Sequence, residues 1–305
     1  MKPLFERVAL VGMGLLGGSL GLAARERGVA GRVVGASRSR ESLDAALACG
    51  ALDEAFRDPV CAARGADLVV LATPPFAMPG VVRRLAGALA QGAVVSDVGS
   101  VKAAVAEALP GLLPPGVRYL GAHPMAGSHR KGVAHARADL FEGATCVLTP
   151  TPELDRSVVE RLTAFWERIG ARVVERRPEE HDCEVAWVSH LPHALAFAFS
   201  RALDAAPARA GQLTGGGFRD FTRIARSDPE LWAEILTANH KALAGPLREA
   251  AVQLEALSRS VEAGDVEAVA RLVAEAHEIL GRMDAERTGH PKQISAAPGG
   301  RERSR

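Results

Sequence analysis

The side chains best suited to chemistry fall in four stretches. Ser96-Asp97-Val98-Gly99-Ser100-Val101-Lys102 and Gly121-Ala122-His123-Pro124-Met125-Ala126-Gly127 each lie at the end of a short apolar run that reads as a strand. In an open α/β sheet the carboxyl ends of strands face the ligand crevice, so Ser100 and His123 are expected on its rim. An imidazole titrates near neutral pH, and His123 is therefore suited to take a hydroxyl proton. Ser100 suits either contact with a bound ligand or the capping of a helix that follows. Ser189-His190-Leu191-Pro192-His193 sits in a helical stretch; Ser189 and His193, four apart, share a face, and Pro192 is expected to kink the helix. No third ligand at zinc-site spacing accompanies this H-x-x-H, so no metal is expected. The fourth stretch is Gly215-Gly216-Gly217-Phe218-Arg219-Asp220-Phe221-Thr222-Arg223-Ile224-Ala225-Arg226. Its glycines permit close approach to the backbone. Its arginines recur at helical spacing and suit a carboxylate, which implies an anionic substrate, although a solvated basic face paired with Asp220 and Glu230 explains Arg226 and Arg219 as well.

These groups need a frame, and the start of the chain supplies one. Val8-Ala9-Leu10-Val11 reads as a buried strand, followed by Gly12-Met13-Gly14-Leu15-Leu16-Gly17 with G-x-G-x-x-G spacing and then by an apolar helical face at Leu20, Leu22, Ala23 and Ala24. Gly12 allows the turn, Gly14 lets a pyrophosphate approach, Gly17 lets helix and sheet pack closely, and the helix N-terminus offers free N–H groups. A nicotinamide or flavin dinucleotide is the ligand this order implies. With a nicotinamide, His123 would take a hydroxyl proton while hydride leaves the same carbon. Thr73 and Pro74, closing a later strand, belong to the same expected cofactor wall. An acid usually stands about 20 residues past the glycine loop to bind the ribose 2′-hydroxyl. Here Ser37 stands there, with Arg38 and Arg40 after it. That suits a 2′-phosphate and hence use or tolerance of NADP; a solvated basic turn with NAD preferred is the competing reading.

Strands are expected at 5–11, 31–37, 66–72, 92–98, 119–122, 145–149 and 171–175, alternating with helices at about 14–28, 40–49, 76–90, 101–109 and 153–169. This alternation argues a parallel, doubly wound Rossmann-type sheet over residues 1–177. From Pro178 the pattern is helical throughout, which gives an all-helical substrate and dimerisation domain at 178–285. Residues 286–305, rich in Pro, Gly, Ser and Arg, read as a disordered tail. Over 305 residues the chain is 48% hydrophobic and 24% charged with a formal net charge of +1, so neither nucleic acid nor an anionic membrane is an expected partner. No apolar run is long enough to span a bilayer. The first strand begins too early to leave room for a signal peptide, and Cys49, Cys61, Cys146 and Cys183 show no paired spacing. They read as reduced thiols, mostly filling the core of a cytoplasmic protein.

Taken together, Val98-Gly99-Ser100-Val101-Lys102, Ala122-His123-Pro124-Met125-Ala126-Gly127, Ser189-His190-Leu191-Pro192-His193 and Gly215-Gly216-Gly217-Phe218 through Asp220-Phe221-Thr222-Arg223-Ile224-Ala225 resemble the prephenate dehydrogenase family over about residues 6–283. The resemblance implies oxidative decarboxylation of prephenate to 4-hydroxyphenylpyruvate with NAD(P), on the route to tyrosine. By that resemblance His123 is similar to the catalytic histidine at the ring 4-hydroxyl, and Ser100 to the serine between that hydroxyl and the nicotinamide. His193, with Ser189, resembles the group that places the substrate side chain, and Arg223 the arginine on a substrate carboxylate. Asp220 and Trp232 resemble residues that shape the pocket near a dimer partner, and Gly216 is expected among the substrate-binding residues. A homodimer through the helical domain is implied, and the apolar spacing of Leu254, Leu257, Val261, Val266, Val269, Leu272 and Val273 agrees. Arogenate, or both substrates in a cyclohexadienyl enzyme, is the alternative. A β-hydroxyacid dehydrogenase would instead rely on a lysine in the helix that carries Ser189, His190 and His193.

Overall fold

In the computed structural model, which describes residues 2–127 and 130–288 (side chains to residue 286), an eight-stranded sheet runs in the order β3-β2-β1-β4-β5-β6-β7-β8. The strands are β1 Phe5–Val11, β2 Ala30–Ala36, β3 Glu54–Phe56, β4 Leu68–Leu71, β5 Val94–Asp97, β6 Arg118–Pro124, β7 Thr145–Thr149 and β8 Arg172–Glu175. Helices α1 Leu15–Glu26, α2 Arg40–Ala48, α3 Pro59–Ala63, α4 Met78–Leu85, α5 Ala103–Ala108 and α6 Arg156–Ile169 connect them. Strand order reverses between β1 and β4, and a crevice opens above their carboxyl ends. Two cores cover the two faces: Leu10, Leu20, Leu120, Phe165 and Trp166 on one, Val11, Leu71, Met78, Val95 and Leu109 on the other.

The sheet is not wholly parallel. Between β6 and β7 the pairing is antiparallel, with His123 opposite Val147, and β8 then runs parallel to β7. An antiparallel neighbour needs no crossover to the opposite edge, so the connection from 125 to 144 stays on the crevice side. There Val133 packs against Gly18, where a Cβ would meet the Val133 side chain at 2.7 Å, and the Ser19 hydroxyl accepts the Arg137 N–H. Periodicity also left β3 and α3 unseen. They are only three and five residues long, too short for a repeat to show, and α3 is nucleated by the Asp58 cap and Pro59.

Beyond the sheet lie α7 Pro178–Val185, α8 Leu191–Ala202, α9 Gly216–Arg223, α10 Pro229–Ala238, α11 His240–Glu262 and α12 Val266–Thr288. Asp228 caps α10 through the Leu231 N–H, with Pro229 in the first turn. The chain forms two compact units, one up to Pro246 and one from Leu247. The helices from Pro178 to Pro246 thus belong with the sheet. The reason is shared core: Ile235 is 3% exposed and, with Trp232, packs in the layer that holds Val101 and Val105. Residues 286–288, expected in the tail, continue α12; residues 289–305 lie outside the described part. Among the cysteines only Cys146, on β7, fills the core; Cys49, Cys61 and Cys183 are exposed on the outer faces of short helices or their ends. Among the described residues no helix is long and apolar enough to cross a membrane.

Beneath the crevice lies a buried ion pair. Lys102, with no exposed surface, bonds the Asp97 carboxylate and donates to the Ala122 carbonyl at 2.9 Å. Asp97 also accepts the Tyr119 hydroxyl at 2.6 Å and the Gly99 N–H at 2.6 Å. Burial, and then the Asp97 charge, hold the Tyr119 phenol well above its ordinary pKa. The pair ties the loop bearing Ser100 to the strand bearing His123. Removing one partner strands a buried charge, so Lys102→Met should cost about 3–5 kcal/mol in urea unfolding. Adding Asp97→Asn should recover part of that loss; additive losses would show that the pair is not coupled.

Candidate active site

His123 lies inside β6, 8% exposed, rather than on a loop beyond it. Its Nδ1 is 2.8 Å from His181 Nε2. His181 Nδ1 is 2.8 Å from Asp182 Oδ1, and a carboxylate only accepts, so that nitrogen carries hydrogen. His181 Nε2 is then the acceptor of the neutral ring, and His123 Nδ1 must donate to it. The remaining lone pair of His123 is therefore on Nε2. Burial, and then the neighbouring His181, hold the His123 imidazole well below its ordinary pKa, so it is neutral and able to accept a proton. Asp182 is fixed in turn by the Lys102 and Ala103 N–H groups, at 2.8 and 2.9 Å, at the start of α5. That start is thus capped by a carboxylate distant in sequence, not by Ser100. Ser100 is half-buried and its hydroxyl has no partner among the described residues.

His123 opens on a cleft of about 360 Å³ that it lines with Met125, Ser189, His193, Arg223, Ser227 and Trp232. Ser189 and His193 face it together as the spacing predicts. The His193 Nδ1–H donates to the Ser189 carbonyl at 2.9 Å, which leaves Nε2 as an acceptor. Burial lowers the His193 pKa, and the positive charge of Arg223 adds to this. Trp232 stacks on His193 with ring centres 3.6 Å apart. The expected proline kink takes another form: Ala186–His190 is a π-helical turn just before Pro192. The wider turn accommodates a ring that would otherwise press on the carbonyl four residues back. His190 is fully buried, and its Nδ1 accepts from Asn239, which also donates to the Asp182 carbonyl. Trp187 and Val188 of the same turn are half exposed.

Not all the predicted residues converge. Gly216 and Asp220 lie on the exposed surface of α9 and do not line the cleft, and neither does Ser100. Arg219, Arg223 and Arg226 are all exposed, and among the described residues no ion pair joins them to Asp220 or Glu230. Conversely, sequence reasoning passed over His181, Asp182 and Asn239. The only signal was a His-Asp step in a helix start, which resembles ordinary acidic capping.

The glycine loop fits a dinucleotide. Gly12 has φ +107°, and a Cβ there would lie 2.4 Å from the Ala72 carbonyl oxygen; a Cβ on Gly17 would lie 2.0 Å from that of Gly12. Gly14 faces open space and caps α1 with no side chain, so the first N–H groups of α1 are free for phosphate. Leu15 and Leu16 begin that turn half-buried, while the Met13 side chain is buried beside Gly35, so Met13 offers its backbone alone. The Thr73 hydroxyl is buried without a partner next to Gly12, with Pro74 exposed beside it. An orphaned hydroxyl against a cradle that a Cβ would fill is what a bound dinucleotide would satisfy.

Residues 20–175 match the family model described as "Prephenate dehydrogenase, nucleotide-binding domain", and residues 177–275 that described as "Prephenate dehydrogenase, dimerization domain". The chain belongs to the prephenate dehydrogenase family. It is 33% identical over 271 residues to a Bacillus subtilis protein named prephenate dehydrogenase, covering 88% of this chain and 73% of that one. It is 31% identical to a Zymomonas mobilis cyclohexadienyl dehydrogenase, covering 86% and 90%. The crystal structure of prephenate dehydrogenase from A. aeolicus, in complex with hydroxyphenyl propionate and NAD+, matches with a TM-score of 0.83 and 31% identity over 92% of this chain and 98% of that one. Members of this family are oxidoreductases, and this chain is one that works with a nicotinamide dinucleotide.

The buried histidines make stability depend on pH. Burial lowers His190 to about 4. The folded state therefore binds its proton less readily than the unfolded chain, whose histidine titrates at about 6.5. The stability this residue contributes is full above that value and is lost as pH falls towards 4, by roughly 3 kcal/mol in all. Unfolding free energy measured at several pH values should fall more steeply over this window for the native protein than for His190→Gln. Parallel curves would show that His190 does not titrate there.

Proposed function

We propose that this chain oxidises and decarboxylates prephenate to 4-hydroxyphenylpyruvate, with His123 as the proton acceptor. The observation that carries the roles is the Asp182–His181–His123 chain, which leaves a basic Nε2 at a cleft containing Arg223. In this reading His123 takes the proton of the substrate's ring 4-hydroxyl. A nicotinamide held on the glycine loop would supply the acceptor for the hydride that leaves the same carbon. The ring carbonyl so formed draws in the electron pair of the C–CO2 bond; carbon dioxide leaves, the ring becomes aromatic, and its oxygen recovers the proton held by His123. A positive charge on His123 is stabilised through Nδ1–H to His181, and His181 by Asp182, as positioning residues act on a catalytic imidazole elsewhere. Arg223 is the ligand for a substrate carboxylate, while the His193 Nε2 lone pair suits a donor on the substrate. Ser189 and Trp232 hold His193 in place. Ser100, whose free hydroxyl lies outside this cleft, is given its place between the 4-hydroxyl and the nicotinamide by the family resemblance alone.

Arogenate differs from prephenate by an amino group in place of the side-chain keto oxygen. Nε2 of His193 as an acceptor favours a protonated amine as much as a carbonyl bridged by water, which keeps arogenate, or both substrates, as the second reading. Gly12, Met13, Gly14, Leu15, Leu16 and Gly17 would hold the pyrophosphate through backbone groups, with Thr73 and Pro74 on the opposite wall. Ser37 and Arg38 support use of NADP beside NAD. For the homodimer the support is apolar exposure on the helices: Leu254, Val261, Val266 and Val273 in one unit, Trp187 and Val188 in the other. A cytoplasmic location accords with free thiols.

Steady-state kinetics with prephenate and arogenate, each with NAD and NADP, tests the reading. Turnover of at least one substrate is expected, and none in all four assays would overturn it. His123→Asn should lower kcat by at least about 100-fold, the usual scale of general-base loss. Arg223→Ala should mainly raise KM. His181→Phe should lower kcat and alter the acid limb of the kcat profile, which in the native protein should lie below the ordinary histidine range because His123 is depressed. Near-normal kcat in His123→Asn would remove the proton-acceptor role.

A further inference from the structure

Strands β2 and β3 end side by side. Ala36 pairs with Phe56, and the Ser37 N–H donates to the Phe56 carbonyl at 3.3 Å. Ser37 and Arg57 thus leave the sheet together at its carboxyl edge, where the adenosine end of a dinucleotide lies when its pyrophosphate is on the glycine loop. The two turns are tied: Arg57 Nη2 donates to the Arg38 carbonyl at 3.1 Å. The Ser37 hydroxyl oxygen accepts the Ser39 N–H at 3.3 Å, so its own hydrogen is available to a ligand. Arg38 and Arg57 are exposed, and among the described residues neither forms an ion pair. Two of the acids near them in sequence are engaged elsewhere, while Glu41 lies exposed in the first turn of α2. Asp58 accepts from Arg84 and from the Val60 N–H, and Asp44 faces Arg40. The edge therefore presents two guanidinium groups without an ion-pair partner among the described residues and a hydroxyl donor, with Ser37 rather than an acid at the end of β2.

We propose that Arg57 is a specificity-determining residue that, with Ser37 and Arg38, binds a phosphomonoester on the ribose 2′ position. The proposal rests on the dinucleotide reading of the glycine loop and extends the NADP reading from β2 to a residue of β3's end. A guanidinium tethered by one Nη keeps its other N–H donors free, and the tether limits the entropy lost when they close on a dianion. Arg57 acts twice, supplying charge itself and holding the Arg38 turn in place.

Isothermal titration of the full chain with 2′,5′-ADP and with 5′-AMP isolates the 2′-phosphate from the chemistry. The native protein should bind 2′,5′-ADP about 10-fold or more tightly than 5′-AMP, as expected for one or more charge-assisted hydrogen bonds. Arg57→Ala should remove most of that ratio, Arg57→Lys should retain part of it, and added salt should erode it more in the native protein than in Arg57→Ala. Should the native protein show the preference and Arg57→Ala keep it in full, Arg57 has no such role, and Ser37 with Arg38 suffices. Should the native protein bind both probes equally, the 2′-phosphate reading fails as a whole. Loss of both probes in Arg57→Ala, with Arg57→Lys equally silent, would make Arg57 a support of the adenosine site and overturn the specificity role.

Discussion

The Asp182 carboxylate is the constraint on which the site depends. It receives the Lys102 and Ala103 N–H groups from α5 and the His181 ring from its own helix, while its backbone carbonyl receives Asn239 from the turn between α10 and α11. Four donors from three parts of the chain thus converge on one buried residue. A charge 4% exposed is tolerable because both carboxylate oxygens accept hydrogen bonds and because the free N–H groups of a helix start favour an anion. Once Asp182 is fixed, its effect runs outward. His181 has one tautomer, His123 has one tautomer, and the lone pair of His123 is aimed by bonding rather than by solvent. The Lys102–Asp97 pair acts from below on the same strand, since Lys102 Nζ holds the Ala122 carbonyl beside His123.

Burial also sorts the three histidines around the cleft into different uses of one property. His123, His190 and His193 are all held below the ordinary imidazole range, chiefly by desolvation. In His123 a neutral ring with a free Nε2 serves proton transfer. In His193 the Ser189 carbonyl selects the tautomer, and stacking on Trp232 fixes the plane. In His190 the Asn239 amide takes the lone pair, so the Nε2–H is left buried without an acceptor. Its ring meets Trp232 nearly edge-on at 6.0 Å, which makes one indole the common wall of both helix histidines.

The frame of this arrangement was legible in the sequence for physical reasons. Gly12 and Gly17 are forced by backbone contacts that no other residue could satisfy, so the glycine loop reads true from spacing alone. Ser189 and His193 share a face because helical geometry is local. What was not legible is whatever depends on contacts distant in sequence. Asp182 and Lys102 are 80 residues apart, and nothing in either stretch announces a cap supplied from the other. The reversed β7 was hidden for the same reason: an apolar strand reads alike in either direction, and only pairing sets its sense. The division at residue 177 followed a real change from strands to helices, but composition does not report that Ile235 and Trp232 would join the sheet's own core layer.

That reversal has a consequence for the site. With β7 antiparallel, the carboxyl end of β6 lies beside the start of β7, so Pro124 faces Cys146 and the Met125 N–H donates to the Thr145 carbonyl at 2.7 Å. His123 therefore keeps a strand neighbour, Val147 of β7, beyond the point where pairing with β5 ends at Leu120. A base at the tip of a parallel strand would depend on its loop for position. Here the ladder carries the backbone, His181 carries the ring, and the intervening segment is left to pack over α1 near the phosphate loop. Reversing one strand thus lets the same short stretch be rigid at His123 and still reach the cofactor side of the crevice.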